Sequence, residues 1–170
     1  MNIETVESTR AFEFSHPVVI VGGGACGLCA AIAASDNGKE VLLLEQDDRL
    51  LGTTAMSTGL IPAAGTPEQV SAGIEDSADV FSADIQKKAK NNADHDLVNH
   101  LAKESAETVA WLRDTHGVPL TLLDGFTYPG HSAKRMYGTP GRSGAELMAA
   151  LELAAIKNSV DILTLSLIHI

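Results

Sequence analysis

PVVIVGGGACGLCAAIAASDNGKEVLLLE, residues 17–45, decides the fold of this chain. The β-branched apolar run 18–21 is typical of a parallel strand that is buried on both faces. A helix rich in alanine follows the glycines, and Gly38 is placed to end it. A second apolar run, 41–44, leads directly to Glu45. The order strand, glycine turn, helix, strand and acid predicts a βαβ unit of an α/β protein with a parallel sheet.

The glycine turn at residues 22–27 matches G-x-G-x-x-G. In this motif Gly22 permits the tight turn, Gly24 lets the backbone approach a pyrophosphate, and Gly27 lets the helix pack on the strand. The N-terminus of the helix that follows offers unpaired N–H groups and a positive dipole end to phosphates. Glu45 lies about 20 residues further on, where an acid binds ribose hydroxyls. The turn therefore predicts a dinucleotide site, and the alternative is a ligand-free turn in an α/β domain.

Composition excludes several classes of function. The 170 residues hold 12 Lys and Arg against 22 Asp and Glu, a formal net charge of −10. An acidic protein of this kind is a poor ligand for nucleic acid or for an anionic membrane. No apolar run approaches the roughly 20 residues of a membrane span. Residues 1–15 form a polar tail without signal-peptide features, so we expect a cytoplasmic protein.

The two cysteines form a C-x-x-C motif, Cys26 and Cys29, inside the glycine turn. One interpretation is a redox dithiol, because a helix N-terminus stabilises a thiolate. The other is that both positions need small residues and that cysteine serves as a small apolar one. We favour the second, because a bound phosphate would compete for the same helix end.

A small-residue stretch, QDDRLLGTTAMSTGLIPAAGT, follows Glu45. A backbone that passes close to a flat ligand needs such a composition. Thr53, Thr54 and Ser57 offer hydroxyl groups, whereas Gly52 and Gly59 leave space. The alternative is an ordinary buried connection between two elements.

Beyond it, Thr66 and Pro67 predict the start of a helical segment over about 67–116. A stretch rich in Gly, Pro, Tyr, His and Arg then runs from 123 to 142, where Arg135 and Arg142 are candidates to bind an anion or the phosphates of the cofactor. Ser143 and Glu146 predict a capping box for the next helix. Residues 160–164 predict a further parallel strand. His95, His100 and His116 show no metal-ligand spacing, so we expect no metal site.

The chain resembles the fumarate reductase/succinate dehydrogenase flavoprotein family, which includes the 3-ketosteroid dehydrogenases. The resemblance rests on the combination of VVIVGGGACG, Glu45 and GTTAMSTG. The resemblance implies a Rossmann-like FAD-binding domain, a parallel sheet flanked by helices with an inserted helical segment. It also implies an oxidoreductase that transfers a hydride between flavin N5 and a carbon adjacent to a carbonyl or carboxylate of a small-molecule substrate. The residues that it assigns to FAD are Gly22, Gly24, Ala25, Gly27, Glu45, Gln46, Gly52, Thr53, Thr54, Ser57 and Gly59.

On the substrate side the resemblance places Tyr137 where fumarate reductases have a histidine that contacts a substrate carboxylate, and His131 lies nearby. The family's active-site arginine lies beyond this chain, so no catalytic residue is identifiable in it. Covalent members attach FAD through a histidine near the small-residue stretch. No histidine lies between Gly52 and Gly65, so we expect FAD to be bound non-covalently. Nothing in the sequence indicates the electron partner.

The resemblance covers residues 17–164, the N-terminal part of a family polypeptide. We therefore expect an incomplete FAD-binding domain over 16–165. Residues 166–170 are expected to be a non-native tail, because the ending LSLIHI resembles translated sequencing-adapter sequence. Two alternatives to the oxidoreductase stay open. One is a dinucleotide-binding module or inactive truncated fragment, and the other is an NAD-dependent dehydrogenase, which the small-residue stretch after Glu45 disfavours.

Overall fold

The computed structural model describes residues 15–166. The helices are α1 (Ala25–Asp36), α2 (Pro67–Ser71), α3 (Ala78–Lys88), α4 (His95–Ala110) and α5 (Gly144–Lys157). The strands are β1 (Val18–Val21), β2 (Val41–Leu44), β3 (Ile61–Pro62), β4 (Thr121–Leu122), β5 (Met136–Gly138) and β6 (Asp161–Leu163). The expected polar tail at 1–15 lies almost wholly outside the described residues, as does most of the expected tail at 166–170.

A parallel sheet carries the core. Its order is β1-β2-β6, and the register pairs Val18 with Val41 and Leu42 with Asp161. α1 and α5 contact each other, and Leu28, Leu43 and Leu151 belong to one buried cluster. This is the α/β architecture of a parallel sheet flanked by helices that the sequence predicts.

The expectation that β1 is buried on both faces is wrong. Val19 and Val21 are 51% and 64% exposed, whereas Val18 and Ile20 pack against the buried core. β1 is an edge strand of the sheet, and within residues 15–166 only one of its faces is covered. A run of apolar residues thus predicts that a strand forms, but it does not predict that both faces of the strand are buried.

A second, antiparallel sheet has the order β3-β5-β4. Tyr137 of β5 pairs with Ile61 on one side and with Leu122 on the other. β4 follows the helical segment directly. The pairing of β3 with β5 joins segments that are far apart in the sequence, so no local pattern predicts it.

The helical segment lies where the sequence predicts it. Thr66 caps α2 in a capping box, since Gln69 N donates to Thr66 Oγ1 at 3.2 Å and Thr66 N donates to Gln69 Oε1 at 3.0 Å. Asp94 caps α4 through a bond from Leu97 N at 2.9 Å. A π-helical turn, Trp111–Thr115, extends α4. α3 and α4 pack against each other.

The predicted capping box of α5 is wrong. Ser143 is the N-cap residue, but its side chain makes no cap bond. The Glu146 carboxylate instead accepts a bond from Gly141 N at 2.6 Å. Gly144 N donates to Ser57 O at 2.9 Å, and a Cβ at Gly144 would overlap Thr54 O. The first turn of α5 is docked on the small-residue stretch, which supplies an acceptor for the first N–H group of the helix.

Candidate functional site

A groove of about 520 Å³ opens where β1 and β2 end. In parallel α/β sheets, ligands bind at this carboxyl edge of the strands, and the volume lies within the range of small-molecule sites. The residues that line the groove are Val21, Gly22, Gly24, Ala25, Cys26, Glu45, Gln46, Asp47, Gly52, Thr53 and Thr54. Most of the predicted cofactor residues therefore meet in one place.

The glycine turn forms the floor of the groove. Gly22 has φ +100°, a conformation that other residues rarely adopt, and its N–H donates to Leu44 O at 2.8 Å. A Cβ at Gly27 would overlap the carbonyl oxygen of Gly22. The start of α1 therefore lies directly against the turn, and only glycine permits this approach.

The N-terminus of α1 has the features of an anion site. Gly24 is the N-cap residue and offers no side chain to the first-turn N–H groups, which have no partners within the helix. A Cβ added at Gly24 would meet no atom within 4 Å, so the position faces open space. Unpaired N–H groups, the helix dipole and this space together fit a pyrophosphate.

Glu45 provides the polar group beside this turn. It is 8% exposed, and its carboxylate accepts bonds from Gly23 N at 2.7 Å and from Asp47 N at 3.0 Å. The Asp47 and Gly23 bonds lower the pKa of Glu45 although burial opposes this, so the side chain stays ionised. A carboxylate has about four acceptor positions, and those that remain can accept from ribose hydroxyls.

The small-residue stretch divides into two parts. Gly52, Thr53 and Thr54 line the groove, and a Cβ at Gly52 would lie 3.2 Å from the Gly24 Cα. Ser57 and Gly59 do not line it. The Ser57 hydroxyl donates to Thr54 O at 2.7 Å and accepts from Gly59 N at 3.0 Å. These two residues join the stretch to the start of α5.

The two cysteines of the C-x-x-C motif lie in different environments. Both are free thiols; Cys26 is exposed in the groove and Cys29 is half-buried. Burial, and then the neighbouring Cys26, raise the pKa of Cys29 to about 11. Because the thiolate is the reactive form, this environment favours the second interpretation of the C-x-x-C motif.

Arg135 does not bind the flavin phosphates, contrary to the hypothesis from the sequence. Its side chain is fully buried and donates to both Asp76 oxygens at 2.8 Å and to Asp84 Oδ2 at 2.7 Å. It also lies 4.7 Å from the Phe81 ring centroid. The two aspartates are remote from Arg135 in sequence, so no local signal reveals the ion cluster.

The two predicted substrate-side residues lie in different environments. Tyr137 is fully buried, and its hydroxyl lies 2.6 Å from Thr66 Oγ1 and 3.1 Å from Glu68 Oε2. Burial raises the pKa of Tyr137 to about 12, so the phenol stays protonated. His131 is half-buried and lines a separate cleft beside α3. Neither residue lines the groove at α1.

Residues 15–166 contain no cluster of three His, Cys, Asp or Glu side chains that could hold a metal ion. Among their helices, none has the length and apolarity needed to cross a membrane.

Comparison with known proteins identifies the family of the chain. The family model described as FAD binding domain matches residues 17–168. A fumarate reductase (cytochrome) of Shewanella frigidimarina is 33% identical over 147 residues, which are 85% of this chain and 25% of that protein. A urocanate reductase of Eggerthella lenta is 32% identical over 138 residues, 81% of this chain and 23% of that protein. The chain thus spans about a quarter of the length of these relatives.

Solved structures of flavoproteins also match the fold of this chain. The open conformation of a flavocytochrome c3 fumarate reductase matches with a TM-score of 0.80 and 30% identity, over 88% of this chain and 26% of that one. A 3-ketosteroid-Δ4-(5α)-dehydrogenase of Rhodococcus jostii matches with a TM-score of 0.77 and 25% identity, over 93% and 39%. The groove combines a glycine turn, an open helix N-terminus and an acid, which are the features of a dinucleotide site. The chain therefore belongs to the FAD-binding flavoprotein family that includes the fumarate reductases.

Proposed function

We propose that this chain is the FAD-binding portion of an oxidoreductase that transfers a hydride between flavin N5 and a carbon adjacent to a carbonyl or carboxylate. The groove carries the proposal, because it combines first-turn N–H groups that no side chain caps with an ionised acid at the neighbouring strand end. The similarity to fumarate and urocanate reductases supports the class of reaction. FAD, when bound, supplies the hydride chemistry.

The chain's own residues bind and orient the cofactor in this proposal. The glycine turn and Ala25 hold the pyrophosphate by backbone N–H groups, and Glu45 with Gln46 holds a ribose. Gly52, Thr53 and Thr54 form the facing wall. Ser57 and Gly59 act indirectly, because they fix this wall to α5.

A small-molecule substrate is part of the proposal. His131 and Tyr137 remain its proposed substrate-side residues, and no other residue of this chain is assigned to catalysis. Their geometry favours His131, because it lines a cleft whereas Tyr137 is fully buried with its hydroxyl bonded.

The second candidate is a dinucleotide-binding module, or an inactive fragment, with no catalysis of its own. The half-exposed valines of β1 favour it, because they leave part of the sheet uncovered. One assay separates the two candidates. A full-length family polypeptide that contains this sequence is loaded with FAD, supplied with electrons from a reduced viologen dye, and offered fumarate or a 3-ketosteroid. Acceptor-dependent dye oxidation supports the oxidoreductase, and bound FAD without oxidation supports the module.

We propose non-covalent attachment of FAD, because no histidine lies between Gly52 and Gly65. Acid precipitation of the FAD-loaded chain tests this. All of the flavin is expected in the supernatant, and yellow colour in the washed precipitate would contradict the proposal.

A further inference from the structure

A second cleft lies between α3 and the loop 128–132, and it shares no lining residue with the groove at α1. It consists of two adjoining cavities of about 330 and 340 Å³. Both are lined by Asp84, Lys88, Gly130 and His131. The first adds mainly apolar groups, which are Ile85, Ala89, Tyr128 and Pro129. The second adds Lys87 and Ser132. The cleft is therefore apolar at one end and polar at the other.

Lys88 is held across the mouth of this cleft. Its Nζ donates to Pro129 O at 3.2 Å. A Cβ at Gly130 would lie 2.8 Å from Lys88 Cδ, and Gly130 has φ +94°. Glycine thus permits both the turn of the loop and the passage of the lysine stem. An ammonium has three N–H donors, and Pro129 uses one of them, so two can bind a ligand.

His131 offers a second donor. Its Nδ1 lies 3.4 Å from Arg135 Nη1, and a guanidinium can only donate. Nδ1 is therefore the acceptor, and Nε2 carries the hydrogen of the neutral ring. Burial, and then the positive charge of Arg135, lower the pKa of His131, which keeps the ring neutral at pH 7. The Tyr128 ring meets it edge to face at a centroid distance of 5.7 Å.

The charges around the cleft leave one positive charge in excess. Asp84 Oδ2 accepts from Ser132 N at 2.7 Å, Ser132 Oγ at 2.9 Å and Arg135 Nη1 at 2.7 Å. Asp76 and Asp84 outnumber Arg135 by one negative charge, and Lys87 and Lys88 add two positive charges. A monoanion neutralises this single excess positive charge, whereas a dianion would leave one negative charge in excess.

We propose that this cleft binds a small molecule with one carboxylate on a planar apolar body. The carboxylate accepts from Lys88 Nζ and His131 Nε2, because charge-assisted bonds of this kind are the strong ones. The body lies against Ile85, Ala89 and the Tyr128 ring, which favours offset or edge-to-face contact with a planar group. The cleft contains His131, the proposed substrate-side residue, so in that assignment the proposal rests on the proposed function, whereas the binding itself needs no FAD.

Benzoate is the probe that tests the proposal. The ¹⁵N-labelled chain is titrated with benzoate, and amide shifts of residues 128–132 and of the end of α3 are followed by NMR. We expect benzoate to give saturable shifts in these residues. Benzyl alcohol, which lacks the charge, and acetate, which lacks the ring, should each bind at least about tenfold more weakly than benzoate. Lys88→Gln is expected to weaken benzoate binding about tenfold.

Lys103→Gln is the matched control, since Lys103 is exposed on α4 and outside the cleft. It should bind benzoate as the wild type does. The proposal is overturned if benzoate gives no saturable shifts in residues 128–132, if Lys88→Gln and Lys103→Gln bind alike, or if benzyl alcohol binds as tightly as benzoate. FAD titration of Lys88→Gln separates this outcome from a failure of the proposed function, because the groove at α1 should be unaffected.

Discussion

The groove at α1 and the buried polar network around β5 differ in whether their polar groups have hydrogen-bond partners. In the groove, the N-cap residue Gly24 has no side chain to bond the first-turn N–H groups, and a Cβ at this position would face open space. In the network, Arg135 and Tyr137 are fully buried and bonded to Asp76, Asp84, Thr66 and Glu68. A ligand site is thus marked by polar groups that the fold leaves unpaired. Charged or hydroxyl side chains alone do not mark one.

The network is continuous from Asp84 to Arg113. Gln69 connects its two halves, since its Nε2 donates to Asp76 Oδ2 at 2.8 Å and its Oε1 accepts from Thr66 N at 3.0 Å. Arg113 pairs with Glu68 at 2.6 Å at the exposed end. These bonds join the helical segment to the antiparallel sheet, so we expect them to stabilise the fold and to leave FAD binding unchanged.

The largest expected effect is on the network. Arg135→Met leaves the Asp76 and Asp84 carboxylates buried without their cation, which should lower the free energy of unfolding by about 3–5 kcal/mol. Urea denaturation measures it. Arg142→Met is the control, because Arg142 is exposed and should change the free energy by no more than about 0.5 kcal/mol. Equal stabilities of the two variants would contradict the structural role of Arg135.

Gly27→Ala probes the groove from the protein side. Its Cβ would overlap Gly22 O, and such overpacking costs about 1–3 kcal/mol. We expect a lower urea midpoint together with weaker FAD binding. Gly24→Ala is the matched control, because its Cβ meets no protein atom. If both variants unfold at the same urea concentration, the close approach of α1 to the turn is not needed for stability.

Tyr137→Phe removes the network's phenol hydroxyl and leaves the ring in place. The loss of its bonds to Thr66 and Glu68 should cost about 1 kcal/mol. FAD affinity should not change, because Tyr137 does not line the groove. Isothermal titration with FAD and urea denaturation measure the two effects. A large loss of FAD affinity at unchanged stability would show that the two regions are not separate.

The smallest expected effect is the pH dependence of Glu45. Its pKa in the folded protein lies below the ordinary value of 4.5, so ionised Glu45 stabilises the fold above that pH. The stabilisation is lost as the pH falls through the lowered pKa. The wild type should exceed Glu45→Gln in unfolding free energy by about 1 kcal/mol at pH 7, and the difference should shrink below pH 4. A difference that grows on acidification has the wrong sign for this account.

Local chemistry explains which elements the sequence predicts. The βαβ unit and the helix start at Thr66 and Pro67 depend on neighbours within a few residues, and the structure confirms them. The β-branched and apolar run after α5 predicts a parallel strand. The structure confirms it, because β6 pairs with β2 in parallel.

Long-range contacts explain what the sequence does not predict. β3 pairs with β5 across the whole helical segment, and its two residues give no periodic signal. In the sequence, Arg135 has the features of a free anion-binding residue. In the fold it is paired with Asp76 and Asp84, which are remote from it in the sequence. The capping box of α5 is absent because the Glu146 carboxylate accepts from Gly141 N instead, while the first turn of α5 docks on the distant Ser57.

FAD binding by the whole chain, compared between the wild type and Gly24→Val, tests the central claim most directly. Gly24 has extended backbone angles, φ −73° and ψ 178°, so valine fits without strain and its side chain fills the groove. We expect the wild type to bind FAD with a change in flavin fluorescence, ADP to compete, and Gly24→Val to lose binding at unchanged urea stability. Equal FAD binding by both proteins, or none by the wild type, would contradict the claim that this groove holds the cofactor.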